Sequence, residues 1–63
     1  MNINQFLTVN DLNEIVESLN YTRKSYEEYD KYPSYKDKQE RIRGVEALIG
    51  KVNSLKKALL DQA

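Results

Sequence analysis

Glu14 and Glu17, and again Glu27 and Asp30, are carboxylate pairs three residues apart. On a helix that spacing places both side chains on one face. Such a pair could hold a divalent cation or divide acid and base roles between two carboxyls. The chain has no His and no Cys, so the commonest general base, the commonest metal ligand and all thiolate chemistry are missing. No Ser is joined to a base that could activate it. The pairs therefore read as solvated helix surface. Gly44-Val45-Glu46-Ala47-Leu48-Ile49-Gly50-Lys51-Val52 superficially resembles a phosphate loop. It has one residue too many between the glycines, Val52 where a magnesium-holding hydroxyl belongs, and an apolar helical setting instead of a strand-to-helix loop. In a helix the backbone N–H groups are already bonded and cannot cradle a phosphate. The sequence predicts no enzyme and no catalytic, cofactor or metal site.

Binding is the remaining chemistry. All five tyrosines lie between positions 21 and 35, and Tyr21 to Arg43 carries seven cations and five anions. Tyr and Arg dominate interface hot spots, and they also stack on bases and contact phosphates. Tyr21, Arg23, Tyr32, Tyr35, Arg41 and Arg43 are therefore the predicted partner-binding set. The acids Glu27, Glu28, Asp30, Asp37 and Glu40 weigh against nucleic acid, since phosphate repels them. Net charge is zero, with ten Lys plus Arg against ten Asp plus Glu, so bulk electrostatics give no push toward DNA or RNA.

Two helices must position these residues. Thr8-Val9-Asn10-Asp11 is a capping-box pattern, and Leu7 and Leu12 occupy the positions of a hydrophobic staple. Residues 1–7 are predicted as a short leader that folds Phe6 back, and a first helix over 9–30. Leu12, Ile15, Leu19, Thr22, Tyr26 and Tyr29 follow a three-then-four spacing along it. Pro33 disfavours helix at Tyr32 and so stops it. Residues 31–34 form the turn. Ser34-Tyr35-Lys36-Asp37 repeats the capping pattern and opens a second helix over 35–60. So short a connection makes the two antiparallel neighbours, giving an all-α helical hairpin.

In the second helix Val45, Leu48, Val52, Leu55 and Leu59 share one face. An antiparallel register with facing numbers summing to about 67 opposes Leu19 to Leu48, Ile15 to Val52 and Leu12 to Leu55. It also brings Glu17 near Lys51 and Asp11 near Lys56. Ile42, Ile49 and Leu60 widen the apolar arc on one side; Gly44, Ala47, Ser54 and Ala58 form a small-residue stripe on the other. One neighbouring helix cannot cover so wide an arc. A chain of 63 residues without disulfides usually needs another staple. Self-association through Ile42, Gly44, Ala47, Ile49, Ser54 and Ala58 is therefore expected, a homodimer closing a four-helix bundle being favoured. The glycines could instead be tolerated drift, or Gly50 a kink. No purely apolar run exceeds three residues, as in Ala47-Leu48-Ile49, too short to span a membrane, and a cytoplasmic location is expected. The function that follows is a small non-enzymatic module binding a larger protein as accessory, adaptor or inhibitor. A nucleic-acid or nucleotide binder using the Tyr/Arg tip is the alternative.

Overall fold

A computed structural model describes residues 6–61. Two helices, α1 (Val9–Glu28) and α2 (Tyr35–Asp61), pack lengthwise into a hairpin with extents of 45 × 17 × 16 Å. The start of α1 is the one its residues predict. Thr8 is extended, its Oγ1 accepts from Asp11 N at 3.1 Å, and Asp11 Oδ2 accepts from Thr8 N at 2.9 Å. This reciprocal pair satisfies two backbone donors that a helix start leaves open. At α2, Ser34 Oγ accepts from Asp37 N at 3.2 Å.

The first helix ends two residues earlier than its pattern suggests. Tyr29 is extended, with ψ 128°, while its N–H still donates to Ser25 O at 3.0 Å. Stopping there leaves the last carbonyls of α1 without helical donors. The Tyr32 hydroxyl supplies one, donating to Tyr26 O at 3.0 Å. Tyr29 thus leaves the helical stripe, and its ring meets Tyr32 edge-on, centroids 4.8 Å apart at 87°. Phe6 is not folded inward; it is 62% exposed. Leu7 takes the inner place, lining a hollow of about 230 Å³ with Thr8, Val9 and Leu59. Residues 1–5 of the predicted leader lie outside the described residues.

The expected packing of α2 is corrected by a roll of the helix. Leu48, expected opposite Leu19, is 46% exposed, whereas Ile42, which the register sets near Tyr26 and which was also expected to serve self-association, is 8% exposed. The less exposed positions of α2 include Ile42, Val45, Ile49, Val52, Leu55, Lys56 and Leu59, so of the predicted face only Leu48 turns outward. At 100° per residue this stripe is centred roughly 40° from the predicted one. The less exposed positions of α1 include Leu12, Ile15, Val16, Leu19, Thr22, Arg23 and Tyr26, of which Leu12 alone is fully buried. Ile15, Leu19 and Val52 are half-buried. Helix α2 runs unbroken through Gly44 and Gly50, both at negative φ.

Candidate interaction surfaces

At the turn, Tyr29 and Tyr32 form a wall between two hollows. One, about 260 Å³, is lined by Tyr29, Asp30, Tyr32, Ser34, Tyr35 and Lys38. The other, about 380 Å³, is lined by Ser25, Tyr26, Tyr29, Tyr32 and Arg41. Tyr26, Tyr29, Ser25 and Lys38 were not in the predicted binding set. The signal for Tyr29 is its spacing of three from both Tyr26 and Tyr32, misread as a continuing helical stripe.

The predicted tip residues fall into two groups. Tyr21 and Tyr35 are 74% and 77% exposed, so their rings stand in solvent. Arg43 is likewise exposed. The other three are drawn into the hairpin. Tyr32 caps α1 through its hydroxyl. Arg41 places its guanidinium carbon 5.9 Å above the Tyr26 ring, within cation–π range. Arg23 lies half-buried, its Nε enclosed and without a hydrogen-bond partner. The structure thus brings Tyr32 and Tyr35 together around one hollow and places Arg41 at the other. Tyr21 and Arg43 line neither.

Along its length the hairpin has two unlike faces. In an antiparallel pair, equal rotations away from the seam in the N-terminal sense reach the same side of both helices. On one side lie Asn13 and Asn20 of α1 with Glu46 and Asn53 of α2, all exposed. Lys56 Nζ donates to Asn13 Oδ1 at 3.0 Å there. Asp11, expected as the Lys56 partner, has its carboxylate in the cap. The opposite side carries half-buried Ile15, Thr22 and Leu55 with exposed Ser18, Gly44 and Leu48, while Leu60, 54% exposed, lies on the side of Asn53. The Tyr26–Arg41 pair and the larger hollow lie at its turn end. Of the predicted self-association residues, Gly44, Ala47, Ser54 and Ala58 are exposed and Ile49 is half-buried. Ile42 is occupied inside the hairpin. A Cβ added at Gly44 or Gly50 would meet nothing within 4 Å, so neither glycine serves a close approach inside the hairpin.

Among the described residues no group of three or more His, Cys, Asp or Glu side chains is placed to hold a metal ion. No described helix is long and apolar enough to cross a membrane. No family model matches the chain, and neither do the curated proteins or the solved structures.

Proposed function

We propose that this hairpin is a non-enzymatic protein-interaction module. It associates with itself and presents its tyrosine-rich turn to a larger protein, as an accessory, adaptor or inhibitor would. The observation that carries this reading is the display of Tyr21 and Tyr35, each more than 70% exposed, in a chain short of buried surface. Exposed aromatic surface beside hollows is the composition that protein interfaces favour. Against nucleic acid, Arg41 is already paired with Tyr26 and Asp30 lines the hollow beside Tyr35.

The test uses Tyr21→Ala and Tyr35→Ala, whose side chains contribute little to folding. Partner capture from the native host, quantified by mass spectrometry, should lose specific proteins with either variant. With a purified partner each should weaken binding by ~1–3 kcal/mol if it is a hot spot, circular dichroism being unchanged. Unaltered binding by the double variant would move the site away from the turn. Binding to mixed-sequence oligonucleotides that falls steeply with salt, and is weakened by Arg43→Ala, would establish the alternative nucleic-acid reading.

A further inference from the structure

Tyr29, Tyr32 and Tyr35 all line the smaller hollow at the turn, a space of about 260 Å³. The Tyr29 and Tyr32 rings meet at 87° with centroids 4.8 Å apart, so two walls of the hollow stand at right angles. The Tyr35 ring, 77% exposed, stands free as a third. Aromatic faces carry negative charge density, and a cation seated among several faces is attracted to each. The turn already holds one such contact. In the neighbouring hollow the Arg41 guanidinium carbon lies 5.9 Å above the Tyr26 ring.

Two charged side chains, Asp30 and Lys38, also line the smaller hollow. Asp30 is exposed in the non-helical turn and brings a carboxylate to the three rings. An anion there would meet both that carboxylate and the electron-rich faces; a cation finds both favourable. Lys38 is half-buried on α2, as a lysine is when its stem lies along apolar surface and its ammonium reaches water. Among the described residues the cation held over a ring is Arg41, so Lys38 leaves the faces of Tyr29, Tyr32 and Tyr35 open.

We infer that this hollow is an aromatic cage for a substituted ammonium group, the side chain of a methylated lysine on the protein partner. The inference rests on the partner-binding reading above and names what the partner presents. Methylation matters because a bare ammonium keeps three donors and a tight hydration shell. Among the charged groups of the hollow, Asp30 alone can accept from those donors. Methyl groups replace the donors with carbon that packs on the rings, while the positive charge remains for the faces and for Asp30.

The probes are choline and its uncharged isostere, in which carbon replaces nitrogen, followed through the tyrosine ring resonances of the whole chain. Choline should shift the rings of Tyr29, Tyr32 and Tyr35, and the isostere should bind more weakly by about fivefold. Asp30→Asn and Tyr35→Leu should each weaken choline binding several-fold. Lys38→Gln should tighten it, because a like charge is removed; a loosened turn would not produce that gain. A short peptide bearing trimethyllysine should bind better than the same peptide with unmodified lysine. Equal binding of choline and its isostere, or affinities unmoved by Asp30→Asn and Lys38→Gln, overturns the cage. Partner capture still lost in Tyr35→Ala would then leave the interaction module standing. Binding to phosphatidylcholine vesicles with no response to the trimethyllysine peptide overturns the protein source of the ammonium group. Capture unaffected by Tyr35→Ala, with choline selectivity intact, overturns the use of the cage for that partner.

Discussion

Tyr32 combines roles that sequence reading tends to separate. Its ring walls two hollows, while its hydroxyl occupies a carbonyl that the early end of α1 leaves open. A loss of binding in Tyr32→Ala would therefore mix lost contact with a loosened turn, which is why Tyr21 and Tyr35 are the cleaner probes. Gly50 is the opposite case, a residue whose smallness serves nothing in the hairpin. It sits in mid-helix, and a Cβ there would meet nothing within 4 Å. Glycine in a helix interior costs ~0.5–1 kcal/mol relative to Ala through backbone entropy. Gly50→Ala should stabilise the fold by about that amount in urea denaturation, with secondary structure unchanged. A destabilisation would show that Gly50 accepts a neighbouring backbone in the assembled state.

The two helices differ in how strongly their own residues fix them. Helix α1 has one narrow apolar stripe and a reciprocal cap, so its start and inward face follow from local chemistry. Helix α2 has two overlapping heptad stripes one position apart, Ile42-Val45-Ile49-Val52-Lys56-Leu59 and Gly44-Leu48-Lys51-Leu55-Ala58. The hairpin leaves only Leu55 of the second half-buried and turns the first inward, burying Ile42 and Leu59. Lys56 joins it because its stem can lie along apolar surface while its ammonium reaches Asn13. A paired truncation measures the roll. Leu12→Ala should cost ~2–5 kcal/mol, as loss of a fully buried Leu does. Leu48→Ala should cost well under that in protein dilute enough to be monomeric. Equal losses at low concentration would restore the unrolled register.

At the scale of the whole molecule the hairpin is slender, 45 Å long and about two helices across, and only three described hydrophobics are buried. A core this thin supplies a small share of the few kcal/mol that a domain needs. If the rest comes from a second copy, stability follows mass action, because the dimer form is favoured as concentration rises. The melting temperature of the wild type should increase steadily with protein concentration. A wild-type melting temperature constant across a hundredfold dilution would place the stability within the single hairpin.

The helices, the position of the turn and the caps at Thr8 and Ser34 were legible from residues alone. Each depends on interactions within three or four positions in the chain, such as the Asp11–Thr8 exchange and the restriction Pro33 places on Tyr32. The crowding of the tyrosines near the turn was legible for the same reason. Which of them stay free was not, since the Tyr32–Tyr26 bond and the Arg41–Tyr26 contact exist only once the chain has reversed. The roll of α2 was also beyond the sequence. Its apolar arc is wider than one neighbour can cover, so hydrophobic periodicity admits either stripe as the seam. Only the packed hairpin decides between them, by burying Ile42 and leaving Leu48 outside.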